Sequence, residues 1–146
     1  MRAPFGRSES GTSMVEFALT APVLIFMVIG MIEMGRYETM AMMAAHAARA
    51  AVQYGGQTTF TAADKVGMTS AAVQDAAGLT NWHVSPSYFC TNNGALVSCS
   101  TGVPASSSVY YVTVQVTGTF NSLLKYPGIP SSINLSETAT MRVIRQ

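Results

Sequence analysis

The sequence predicts an α+β protein: one long N-terminal α-helix, transmembrane first and extracytoplasmic beyond, packed on a small antiparallel β-sheet domain. Three observations predict it. From Phe17 to Ile32 no residue is charged, and Glu16 and Glu33 bound the interval. Behind it, Met40 to Val52 is dense in alanine at helical spacing, and the pattern breaks only at Gly55-Gly56. Further on, Val109, Tyr111, Thr113, Gln115 and Thr117 alternate with Tyr110, Val112, Val114 and Val116. That is the period of a strand, and the second set is its more apolar face.

Composition sets the bounds. The chain has 146 residues, 49% of them hydrophobic and 10% charged, which is too apolar for a disordered chain and normal for a membrane-anchored one. Once a membrane helix is set aside, one modest domain remains. A net charge of +1 gives no electrostatic case for a nucleic-acid partner. Ten methionines, mostly between Met14 and Met68, suit adaptable packing among helices, and no cofactor is implied.

Met1 to Ser10 carries Arg2 and Arg7 with Pro4 and Gly6, and reads as a basic, cytoplasmic leader. The uncharged run behind it is 16 residues long, a helix of ~24 Å against a bilayer core of ~30 Å. With Thr12 to Val15 before it and Met34 and Gly35 after it, a span over about 14–35 is long enough if Glu16 lies near an interface or is paired. A lone acid deep in hydrocarbon costs roughly 2–3 kcal/mol and marks a functional position. An ordinary signal peptide is the rival reading, with Gly35 or the Ala41–Ala45 tract supplying a cleavage site. Against it, the run exceeds the usual ~7–15 residues and the helical pattern continues through Ala51.

Gly11, four intervening residues, then Glu16-Phe17 opening a hydrophobic helix resembles the processing site of type IV-like prepilins. Pro22, the run Gly30-Met31-Ile32-Glu33-Met34-Gly35-Arg36 and the run Ala47-Ala48-Arg49-Ala50-Ala51 extend the likeness. Over residues 11–55 the chain looks like the TadE-like family of minor pilins or pseudopilins of tight-adherence (Tad, or Flp-type) pilus systems. Met34 stands where an aromatic is usual in that family. The resemblance implies a pilin-like fold in three parts: a leader at 1–11, a long hydrophobic helix at 12–56 and an extracytoplasmic α+β domain at 57–146. It implies cutting between Gly11 and Thr12 by a membrane-embedded prepilin peptidase. It also implies an inner-membrane protein with a cytoplasmic N-terminus, whose partners are membrane lipid, other pilin subunits and the pilus-assembly machinery. Two other readings stand beside it: an uncleaved single-pass anchor with a partner-binding outer domain, and a pseudopilin of a related type II-like secretion system.

The residues have physical roles on this reading. Gly11 lets extended backbone approach a peptidase closely. Cutting frees the Thr12 amine, Ser13 caps the new helix, and Glu16 in its first turns complements the dipole. Pro22 removes the hydrogen bond to the Ala18 carbonyl and loosens that turn. Glu33 and Arg36, three apart, pair on one helical face. Ala41, Ala44, Ala48 and Ala51 form a close-approach stripe, with His46 and Arg49 on the polar side. Gly55-Gly56 supplies a left-handed cap, so Thr12 to Tyr54 is one helix.

The outer domain reads more coarsely. Thr61 to Asp64 begins a short helical segment weakened by Gly67, and Thr69 to Ala77 a helix stopped by Gly78. Trp82 to Phe89 and Ala95 to Cys99 form a hairpin turning at Asn92-Asn93-Gly94. Ser107 to Phe120 is the clearest strand. After a loop with Pro127 and Pro130, Ile133 to Val143 closes the chain as a strand, with Leu135, Thr138 and Met141 as candidates for burial. Two or three antiparallel strands against the upper half of the helix result. The spacing of Cys90 and Cys99 matches no metal pattern: outside the cytoplasm they form a disulfide, inside it a pair of thiols. No catalytic constellation is evident. His83 has Trp82 and Ser85 nearby but no acid in its segment, and Asp64, Asp75 and Glu137 are isolated. A structural subunit rather than an enzyme is expected.

Overall fold

A computed structural model of the chain describes residues 10–76, 81–97, 99, 108–123 and 130–144. The expected leader up to residue 9, the stop at Gly78 and the loop position Pro127 lie outside the described residues. The elements run α1 (Ser10–Gly55), α2 (Thr59–Ala63), α3 (Lys65–Asp75), β1 (His83–Asn92), β2 (Ala95–Val97), β3 (Ser108–Asn121) and β4 (Ser132–Arg142). The fold is α+β, as expected. Two compact units divide the chain, one ending at Arg36 and the other beginning at Tyr37.

In the first unit α1 is helical throughout, including Pro22. Thr20 Oγ1 donates to the Glu16 carbonyl at 3.0 Å, so a hydroxyl serves the backbone one turn before the proline. Apolar side chains such as Phe17, Leu19, Leu24, Phe26 and Met31 are exposed. The helix contains an 18-residue window of mean hydropathy 2.2, long and apolar enough to cross a membrane.

The second unit is built on a four-stranded antiparallel sheet in the order β2-β1-β3-β4, which joins the expected β1–β2 hairpin to the two long strands in one sheet. The β1–β2 hairpin turns on Asn93-Gly94, with φ of 48° and 82°. Two positive φ values match the primed turn that a twisted hairpin requires, which is why Asn-Gly stands there. One sheet face packs on the alanine face of α1. Ala44, Ala47, Ala48 and Ala51 are buried against a core containing Val112, Val114 and Val116, each valine contributing about 1.5–3 kcal/mol on burial. The Tyr37 ring meets Phe120 edge-on at 5.6 Å, while Gly55 lies against Val112. From Tyr37 to Gly55, therefore, α1 runs alongside β3 in the opposite direction and alongside β4 in the same one.

Three details depart from expectation. Gly55 and Gly56 are not in the left-handed region, so they do not cap the helix in that way. They make room instead: a Cβ on Gly55 would lie 2.6 Å from Met68 Sδ, and one on Gly56 would lie 2.8 Å from Met141 Sδ. Gly67 does not weaken the segment read from Thr61: that segment ends as α2 at Ala63, and Gly67 lies inside α3, which starts at Lys65 rather than Thr69; a Cβ there would collide with the Tyr54 ring. Thr138 is exposed, while Leu135 is buried and Ala139 packs against the core. Strand side chains alternate, so residues 135 and 138 cannot share a face. The inward set is Leu135, Glu137, Ala139 and Met141, opposite Gly118, Val116, Val114 and Val112. Met141 remains 37% exposed even though it touches the Gly56 backbone.

Met68 is fully buried and Thr138 is not. Met68→Ala is expected to destabilise the detergent-solubilised protein by about 2–5 kcal/mol, and Thr138→Ala by about 0.5 kcal/mol or less. Denaturant unfolding of the two variants checks this; an equal loss would contradict the facing assigned to β4.

Candidate functional site

The residues singled out in the sequence fall into two groups, and the larger lies along the first part of α1. α1 begins at Ser10, so Gly11, Thr12 and Ser13 are helical and Glu16 stands in the second turn. No acid occupies the first turn, and Ser13 is an interior residue of this helix. Glu16 and Phe17 are both exposed, and nothing lies within 4 Å of where a Cβ on Gly11 would project. Thr12 and Glu16, four apart, lie one turn apart on one helical face. Farther along, Arg36 Nη1 donates to Glu33 Oε2 at 3.0 Å, the expected three-residue pair. With Arg36 side chain 34% and Glu33 side chain 13% exposed, this pair is partly shielded. Gly35 has open space where a side chain would be.

Residues 11–53 match the family model described as TadE-like protein. The TadE-like stretch takes in Gly11, Thr12, Glu16, Phe17, Pro22, Glu33, Gly35 and Arg36, together with the buried alanines up to Ala51 and Val52. It therefore covers both the exposed apolar part of α1 and the part that packs on the sheet, and it stops before α2 and every strand. No curated protein and no solved structure matches the chain.

The second group is Cys90 and Cys99, which form a disulfide across the β1–β2 hairpin with a Cα–Cα distance of 5.2 Å. Cys90 is buried on the helix-facing side of β1. Closing so short a loop stabilises the hairpin by roughly 2–3 kcal/mol in the chain-entropy picture. The bridge ties the short β2 to the sheet, where three residues of pairing alone are marginal.

The sequence does not reveal one polar cluster. Asp64, without a second acid beside it, ends α2 and caps α3. Its carboxylate accepts from the Gly67 N–H at 2.9 Å and from the Tyr54 hydroxyl at 2.8 Å. The link joins the end of α1 to the start of α3. The Gly67 hydrogen bond first, then that of Tyr54, hold the Asp64 carboxyl below its ordinary value, and the same contact pushes Tyr54 up. An acid directly before Lys65 with a glycine three residues on is a legible N-cap, and it was the available signal. Upstream, Thr58 and Thr61 form a reciprocal capping box over α2.

A shallow depression of about 370 Å³ has Asn81, His83, Thr117, Thr119, Asn134 and Ser136 around Gly118 and Leu135, with no acid among its lining residues. Among the described residues, no group of histidine, cysteine or acid side chains could hold a metal ion.

The Asp64 link carries a pH signature. A carboxyl held low in the folded state stabilises above its ordinary range and loses that contribution as pH falls through and below it. Tyr54, held high, contributes up to about pH 10 and loses its share above that. Melting temperatures between pH 3 and 7 are expected to fall more steeply on the acid side for the parent than for Asp64→Asn. Parallel curves would remove Asp64 from the account.

Proposed function

We propose that this chain is a minor pilin or pseudopilin of a Tad/Flp-type pilus, a structural subunit rather than an enzyme. It is made as a precursor with a cytoplasmic N-terminus, cut after Gly11 by a prepilin peptidase, and held in the inner membrane by α1. It is then drawn into an assembly for adhesion, as a priming, tip or minor subunit. The observation that carries the reading is the TadE-like match beginning at Gly11, on a helix long and apolar enough to span a bilayer. The Cys90–Cys99 bridge supports an extracytoplasmic sheet domain, since such bonds persist in oxidising compartments.

The mechanism follows from charge in a dry helix bundle. Once Thr12 is the terminus, its free amine and the Glu16 carboxylate are the opposite charges available at the front of the helix. Pairing Glu16 of one subunit with the Thr12 amine of a neighbour gains about 4 kcal/mol at ~4 Å and an effective dielectric of ~20. Desolvation of the two groups consumes a comparable amount. The pair therefore specifies register between helices more than it adds stability. Lipid covers the exposed apolar part of α1 before assembly, and sister helices cover it afterwards.

Two variants test the reading separately. Gly11→Val is expected to leave an uncut precursor, seen as a higher mass and as Met1 rather than Thr12 on N-terminal sequencing. Normal processing of that variant would remove the peptidase assignment and favour the uncleaved anchor. Glu16→Ala is expected to be cut normally yet fail to assemble, and wild-type levels of pili from it would retire the charge pairing.

A further inference from the structure

The two edges of the sheet are built differently. At one edge β2 spans only Ala95–Val97, and the uncovered part of β1 beside it, His83 to Phe89, contains Pro86, which has no N–H to offer. Short strands and prolines are the usual protection of an edge against unwanted pairing. At the other edge β4 runs unbroken from Ser132 to Arg142 without proline or lysine. Among the described residues no strand pairs with its outer side.

The register shows which groups that side presents. Val143 N–H donates to the Tyr110 carbonyl, and Ser122 N–H to the Ser131 carbonyl, so the odd-numbered residues of β4 turn their backbone groups toward β3. Ser132, Asn134, Ser136, Thr138, Thr140 and Arg142 therefore turn theirs outward, and all six are exposed. Glu137 stands among them on the helix-facing side, half-buried opposite Val116, with no ion pair or hydrogen bond among the described residues. A carboxylate in that position is short of a counter-charge.

The geometry points to the free edge of β4 as a strand-addition site for an extended antiparallel segment of another protein, carrying a basic side chain opposite Glu137. Antiparallel addition makes Glu137 a non-hydrogen-bonded position toward the newcomer, where facing Cα atoms are about 4.5 Å apart and side chains are closest. A second copy of β4 does not meet the requirement. Opposed residues in a ladder share a face, and the strand's basic residue, Arg142, lies on the face opposite to Glu137. The occupant is thus a different segment, apolar and basic on one face and polar on the other. This inference does not depend on the pilin reading, because it uses only the sheet.

The full chain in detergent micelles is titrated with a ten-residue peptide of alternating valine and threonine that carries one lysine on its valine face. N-methylation of the valine-face residues, whose N–H groups point away from β4, blocks the far edge and so keeps the peptide from stacking into sheets. A second peptide has glutamate in place of the lysine. The lysine peptide is expected to slow hydrogen exchange at Ser136, Thr138 and Thr140 by about tenfold or more, and the glutamate peptide to do so far less. Thr138→Pro deletes an N–H that faces solvent in the free protein, so it should abolish the protection while the far-UV spectrum stays unchanged. Glu137→Gln should bring the two peptides to equal effect, which keeps the test open if the proline variant misfolds. Absence of protection by either peptide, equal protection by both on the parent, or protection that survives in a folded Thr138→Pro would overturn the proposal.

Discussion

The contact on which the second unit depends is a row of alanines against a row of valines. Ala44, Ala47, Ala48 and Ala51 bring the α1 backbone close to β3, and Val112, Val114 and Val116 fill the space between. Small residues on the helix and branched ones on the strand each suit the element that carries them. Among the described residues this core holds no buried polar group, so nothing within it needs a hydrogen-bond partner. Its register is set at one end by Tyr37 on Phe120 and at the other by two glycines that admit Met68 and Met141. Around it the small elements are pinned by polar devices on the periphery. The Thr58–Thr61 box starts α2, Asp64 joins α3 to Tyr54, and the Cys90–Cys99 bridge holds β2.

The TadE-like stretch contains two kinds of apolar helix surface. Up to Arg36 it is long, bulky and exposed, with Leu, Ile, Phe and Met; from Ala44 one face is small and buried against the sheet, while Met42, His46 and Arg49 stay exposed. A helix that is apolar all round asks for lipid or other helices, whereas one with a narrow alanine stripe asks for a single close partner. The change of composition near Glu33 and Arg36 therefore marks a change of surroundings along one continuous element.

The outer domain was legible where a local rule decided the outcome and obscure where a neighbour did. Asn93-Gly94 announced its turn, because only residues tolerant of positive φ complete a two-residue hairpin. The valines of β3 announced their face by period. Thr138 lies on the outer face because three residues separate it from Leu135, and strand parity puts positions an odd number apart on opposite faces. Gly55, Gly56 and Gly67 read as helix breakers, yet their role is clearance for Met68, Met141 and the Tyr54 ring, side chains distant in sequence or on another element. The short β2 was legible only through its hairpin turn, because three residues carry almost no periodic signal of their own.

By itself the sequence determined the long helix, its uncharged run, the Glu33–Arg36 pair and the apolar face of β3, because each follows from spacing within one element. It also held the TadE-like pattern that begins at Gly11. Tertiary structure alone decided which glycines are packing surfaces, that Asp64 joins two helices, and that the long β4 is an edge of the sheet among the described residues. Those outcomes depend on which side chains arrive from elsewhere in the chain, and periodicity within a segment carries no information about its neighbours in space.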